Sequence, residues 1–97
     1  PTEYKVPYGT VLLGMELLSC QAALAKHGNA NAVSDIGVAS LLASAAVKGA
    51  LFNVEINLQS LPADMGVEMR EQCSHIRSKC SEVSREIMHA VHDRMSA

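Results

Sequence analysis

A chain of 97 residues with net charge -2, 48% hydrophobic and 19% charged, has the size and balance of one globular domain and not of a disordered segment. Its cations are scattered, with no basic stripe to neutralise phosphates, which sets nucleic acid aside as a partner. A domain this short buries only about 60 to 65% of its unfolded surface, so a solitary copy gains modest stability and an oligomer is expected.

The first helix is expected to begin at Pro7, since a proline at the first helical position gives up an N–H that has no intrahelical partner there. Val11, Leu12, Met15, Leu18, Ala22 and Leu24 follow at helical spacing. Lys26, His27 and Gly28 form a stop: cations against the negative end of the dipole, then a glycine suited to a left-handed cap. His27 is assigned to that stop, with contact to a ligand near the loop held in reserve.

The second helix is expected to start within the segment Asn29 to Asp35, with Asn31 or Ser34 accepting backbone N–H bonds and Asp35 set against the positive dipole end, and to run to about Leu58. Small residues recur on almost every turn, among them Gly37, Ala39, Ser40, Ala43, Ala46 and Gly49, while Leu41, Leu42, Val47, Leu51 and Phe52 point in several directions. A helix apolar all round is expected at the centre of a bundle. Three helices are too few to enclose it, so the rest must come from a missing segment or a second subunit. The apolar run from Ile36 to Val47 is too short for a membrane span, because Lys48, Asn53 and Glu55 interrupt it.

The third helix follows Ser60, Leu61 and Pro62. Its apolar positions Met69, Cys73, Ile76, Cys80, Val83 and Ile87 alternate at four and three, which is a narrow seam on an otherwise charged, outward-facing helix of about 45 to 50 Å. Glu86, His89, His92 and Asp93 recur at helical spacings that could mimic a metal site, but no matching His or Glu pattern stands on the other helices, so a solvated face is expected and no metal. Cys20, Cys73 and Cys80 are odd in number and contain no CxxC pair, and are expected to be buried free thiols in a reducing, cytoplasmic setting. The fold class is all-α, an antiparallel bundle of long helices. The first residue is Pro1 and not Met, which suggests a fragment, a processed product or one piece of a larger polypeptide.

The segment Gly28, Asn29, Asn31, Ser34, Asp35, Gly37, Val38, Ala39, continued by Ala46, Gly49, Ala50, Asn53, Val54, Ile56 and Asn57, resembles the family of formimidoyltetrahydrofolate cyclodeaminases and methenyltetrahydrofolate cyclohydrolases almost position for position. The preceding VPYGTVLLGMELL and the charged helix after SLP resemble the flanking helices of that family. The resemblance therefore covers residues 1 to 97, as the C-terminal half of a single helical domain. Glu55 departs from the pattern, which more often has a basic or neutral residue there. Family members also carry an N-terminal half, with a Pro- and Gly-rich loop and another small-residue helix, that has no counterpart here.

The resemblance implies folate one-carbon chemistry. One form is loss of ammonia from 5-formimidoyltetrahydrofolate with closure to 5,10-methenyltetrahydrofolate, and the other is hydrolysis of the methenyl form to 10-formyltetrahydrofolate. Both pass through a tetrahedral carbon flanked by nitrogens, so both call for proton movement and for stabilisation of an amidinium-like cation, with no metal or covalent nucleophile. Asp35 is the candidate catalytic residue. A helix N-terminus favours its ionised form, which suits an electrostatic stabiliser better than a proton acceptor, and a plain capping role is the alternative. Asn29, Asn31, Ser34, Asn53 and Asn57 are candidates for substrate binding. Asn53 and Asn57 lie one turn apart on one face, and would otherwise cap a neighbouring helix. Asp35 and Asn53 are about 27 Å apart along a straight helix, too far to serve one centre without help from another subunit or the missing half. The competing reading is a non-catalytic helical module that dimerises. A homodimer or higher assembly, or a companion N-terminal chain, is the expected partner.

Overall fold

The computed structural model describes residues 5–96, and residues 1–4 and 97 lie outside the description. Three helices account for most of it: α1 (Lys5–His27), α2 (Val33–Leu58) and α3 (Val67–Ser96), with a short 3-10 turn at Ala30–Ala32 between the first two. The fold is all-α. Successive helices run antiparallel, all three pack on one another, and the molecule measures 52 × 18 × 15 Å.

The core lies along the three-helix axis. From α1 it takes Val11, Leu18 and Ala25, from α2 Val33, Val47, Leu51, Val54 and Leu58, and from α3 Cys73, Cys80, Val83, Ile87 and Val91. The α3 seam is the one its four-three spacing predicts, extended by Val91, with Met69 and Ile76 half-buried at its edge. Small residues set the helix distances. A Cβ on Gly14 would collide with the Val47 side chain, so α1 and α2 are close because that position is glycine. At the other end of α2, Gly37 is buried against Val91 of α3.

Helix boundaries depart from expectation in four places. α1 is already helical at Lys5, the first described residue, so Pro7 lies within the helix and not at its first position. Gly28 is not left-handed: no described residue has positive φ. Its N–H bonds to the Leu24 carbonyl at 2.7 Å, and a Cβ would press on that same carbonyl, so close approach explains the glycine. Neither Asn31 nor Ser34 caps α2. Ala32 occupies the cap position and offers no side-chain acceptor. Finally, α3 starts at Val67, several residues later than the Ser60-Leu61-Pro62 signal suggests. A turn closes from Met65 N–H to the Pro62 carbonyl at 3.0 Å, and Arg70 pins this loop by donating to the carbonyls of Ala63 and Leu58 at 3.0 and 2.9 Å. Gly66 is buried beneath that guanidinium, which a Cβ at this position would push aside.

α2 is not enclosed all round. One side faces the core, and Val38, Leu41, Leu42, Phe52 and Ile56 on the other are more than half exposed, with Phe52 and Leu42 both at 68%. α1 likewise exposes Val6, Leu13, Leu17 and Leu24. By length and composition alone α1 and α2 would each suffice to cross a membrane, because the whole helix tolerates the charges that break the shorter run from Ile36 to Val47. Of the thiols, Cys73 and Cys80 are buried and Cys20 is exposed, since it lies on the outer stripe of α1 between Leu17 and Leu24; all three are free.

Candidate functional site

The predicted residues divide between the two ends of α2. At its N-terminal end the connection from α1 is shaped by Asn29, whose Oδ1 accepts the Asn31 N–H at 2.9 Å while its carbonyl accepts the Ala32 N–H at 3.0 Å. This is an Asx turn, the local bond by which a short amide side chain stands in for a backbone turn. Asn31, Ser34 and Asp35 are exposed around it. Asp35 is the third residue of α2, inside the first turn where a carboxylate is favoured by the dipole. Arg94 of α3 donates to the Ala25 carbonyl at 3.2 Å and ties the same end of the bundle together.

The other end holds a groove of about 580 Å³ between the start of α1 and the second half of α2. Val6, Pro7 and Thr10 form one wall. Ala46, Gly49, Ala50, Asn53 and Asn57 form the other. A Cβ on Gly49 would meet nothing within 4 Å, so this glycine widens the groove and does not serve packing. Asn57 does not cap a neighbouring helix: its Nδ2 donates to the Asn53 carbonyl of its own helix at 2.8 Å, which leaves its Oδ1 free of that bond. Asn53 is exposed on the same wall. The α1 wall, Thr10 above all, escapes sequence reasoning. Its signal was the YGT triplet opening the first helix, which carries a hydroxyl into an otherwise apolar turn.

Neutral amides, one hydroxyl and small apolar surfaces line this groove. It can orient a flat, hydrogen-bonding ligand, but none of these residues titrates near neutrality, so it moves no proton by itself. Asp35, the acid of the other cluster, is eighteen residues from Asn53 on one unbroken helix, a separation of about 27 Å. A single copy of the chain does not bring the two clusters together.

Glu55 turns away from the groove. Arg77 of α3 binds its carboxylate through both terminal nitrogens and lies 5.6 Å from the Phe52 ring centroid. The departure from the family pattern at this position is thus an α2–α3 tie. The hydrogen bond to Glu55 raises the Arg77 guanidinium above its ordinary value, against burial, which lowers it. Burial pushes the neighbouring Cys73 thiol up, the Glu55 charge adds to this, and Arg77 opposes it. His89 and Asp93, 3.8 Å apart, are exposed on the solvent side of α3, and among the described residues no group of three or more His, Cys, Asp or Glu is placed to hold a metal.

A family model described as formiminotransferase-cyclodeaminase matches residues 2–75, more than half of the chain. No curated protein and no solved structure matches it.

Proposed function

Since this chain belongs to the formiminotransferase-cyclodeaminase family, we propose that it supplies the C-terminal half of a cytoplasmic folate-processing domain. The reaction we assign is closure of 5-formimidoyltetrahydrofolate to 5,10-methenyltetrahydrofolate with release of ammonia, or hydrolysis of the methenyl form to 10-formyltetrahydrofolate. The observation that carries this reading is the amide-lined groove, where the Asn53 and Asn57 amides offer donors and acceptors and Thr10, whose hydroxyl donates to the Val6 carbonyl of its own helix at 3.2 Å, offers an acceptor, beside a flat floor at Gly49. A pterin presents the complementary pattern, a planar ring edged with donors and acceptors.

In the cyclodeaminase direction, N10 of the folate attacks the formimino carbon and gives up its proton, while the carbon–nitrogen double bond opens onto the imino nitrogen. The tetrahedral carbon then expels ammonia once its nitrogen has gained a proton, and a cation delocalised over N5, carbon and N10 remains. A carboxylate near that cation lowers the barrier electrostatically. Asp35 is our candidate for it, with Asn29, Asn31 and Ser34 positioning substrate around it. The substrate is the only folate required, and the chemistry assigned to Asp35 and the amides uses no metal. Three free thiols favour a reducing compartment.

The competing reading, a helical assembly module without catalysis, is favoured by the exposed apolar stripes of α1 and α2. Titration of the chain with 5-formyltetrahydrofolate separates the two. Binding that is lost in Asn53→Ala supports the folate reading, and no binding at millimolar folate leaves the assembly module. The methenyl absorbance then gives the direction: it grows with a cyclodeaminase given the formimidoyl form, and decays with a cyclohydrolase.

A further inference from the structure

Another cavity, of about 360 Å³, opens between α2 and α3 with no residue of α1 in its walls. The only charges lining it are positive, Lys48 from α2 and Arg85 from α3. Neither has an acidic partner among the described residues, and the nearby Glu82 is paired with Lys79. Roughly two turns along the same helix contact, Arg77 is matched by Glu55, so the α2–α3 contact leaves its positive charge uncompensated at this cavity.

The hydroxyls in its walls also lack good partners. Ser84 Oγ is sealed from solvent and makes no hydrogen bond. Ser44 is 8% exposed and meets only the Cys80 sulfur, at 3.6 Å, a weak partner for a hydroxyl. A buried hydroxyl left in this state costs stability, which an acceptor brought by a ligand recovers. Leu41 and Met88 add apolar wall. We propose that this cavity binds an organic anion, an oxyanion head on a short apolar body, with the head between Lys48 and Arg85 and the body against Leu41 and Met88. Arg85 is suited to the head: its Nε donates to the Ser81 carbonyl at 3.4 Å, which leaves the terminal nitrogens to face two oxygens of a carboxylate or a phosphate monoester.

This site is separate from the amide groove. Lys48 is two residues from Ala46, roughly 200° around the helix, and Ser44 shares its side, so cavity and groove open on opposite sides of α2. A ligand here is a second ligand and not an extension of the one beside Asn53 and Asn57, and the proposal is independent of the folate reading. Because both helices hold it, its binding also stabilises the folded chain by mass action.

Calorimetric titration with octanoate and with octyl phosphate tests this, with octanol lacking the head and acetate lacking the body. One octanoate or octyl phosphate is expected to bind per chain, with octanol and acetate weaker by about tenfold or more. Either head supports the site, and the tighter of the two identifies its source. Lys48→Gln and Arg85→Gln should each weaken octanoate about tenfold, the loss of one charge-assisted hydrogen bond, with helicity unchanged by circular dichroism. Lys79→Gln, a cation of α3 outside the cavity, should leave octanoate binding unchanged. Ser84→Ala carries two opposite signs: the urea midpoint of the unliganded chain should rise as the unpartnered hydroxyl is removed, while octanoate affinity falls. Absence of binding by both anions, octanol binding as tight as octanoate, or octanoate binding undiminished in Lys48→Gln and Arg85→Gln overturns the proposal.

Discussion

Asp35 and Asn53 stand on one side of α2, five turns apart, one in its first turn beside the Asx turn and the other on the wall of the groove. Their separation makes their contributions separable by mutation. Asp35→Asn keeps the shape and removes the charge at an exposed position, so it should cost no more than about 0.5 kcal/mol in stability. If its carboxylate faces the folate cation, turnover in the complete protein falls about a hundredfold or more. Asn53→Ala should instead weaken folate binding with little change in turnover at saturation. Steady-state kinetics on both variants check this, and an unchanged rate in Asp35→Asn returns that residue to a structural role.

Two glycines of the hairpin should respond oppositely to the same substitution. Gly14→Ala places a methyl on Val47 and should destabilise the chain by about 1 to 3 kcal/mol, with partial recovery in Gly14→Ala/Val47→Ala. Gly49→Ala meets open space and should raise stability by up to about 1 kcal/mol, because the helix loses a flexible residue, while its methyl intrudes on the groove. Urea unfolding supplies both numbers. A Gly14→Ala chain as stable as wild type would contradict the close approach of α1 to α2.

The Glu55–Arg77 pair is about one-third exposed on both sides, so solvent and salt screen it. Arg77→Ala should cost about 1 kcal/mol, part of it from the stem and the lost stacking on Phe52. Arg77→Lys should recover only a fraction, since an ammonium cannot bind both carboxylate oxygens at once. Thermal unfolding at low and at high salt tests this, the difference between wild type and Arg77→Ala narrowing as salt rises.

Cys73 gives the fold an alkaline limit. Its thiol is raised above the ordinary value of 9.0 by burial first, then by Glu55. The unfolded chain therefore releases this proton at lower pH than the folded chain does. Stability from this group is complete below about pH 9 and is lost as pH rises from there through the folded value. Denaturant midpoints measured from pH 7 to pH 10.5 should fall at the alkaline end, and in Cys73→Ala, a less stable chain, the fall should be shallower.

The parts of this fold that depend on neighbours in sequence were legible, and those that depend on register between helices were not. The α3 seam from Met69 to Ile87 follows from spacing alone, as does the C-terminal end of α2 at Leu58. The stop at Gly28 was legible as a stop, but its cause was not, since crowding by the Leu24 carbonyl and a left-handed turn both select glycine. The loop through Met65 looks helical from composition, and Arg70, reaching back to Leu58 and Ala63, helps the Pro62–Met65 turn hold it open. Glu55 was visible as an exception and meaningless until Arg77 was seen opposite it. The same limit hid Thr10: whether it meets Asn53 or solvent depends on how α1 slides along α2, which the Gly14–Val47 contact fixes.

The bond from Arg94 to the Ala25 carbonyl joins positions sixty-nine residues apart, whereas the α1–α2 hairpin is made of near neighbours in the chain. Closing so long a loop is slow and entropically costly, so the hairpin should form first and the last turns of α3 dock late. The turn that presents Asn29, Asn31 and Asp35 is thus made before the last turns of α3 that brace it. In hydrogen exchange, the amides around that turn should open with the final turns of α3 as one cooperative unit, ahead of the Val47–Val54 stretch.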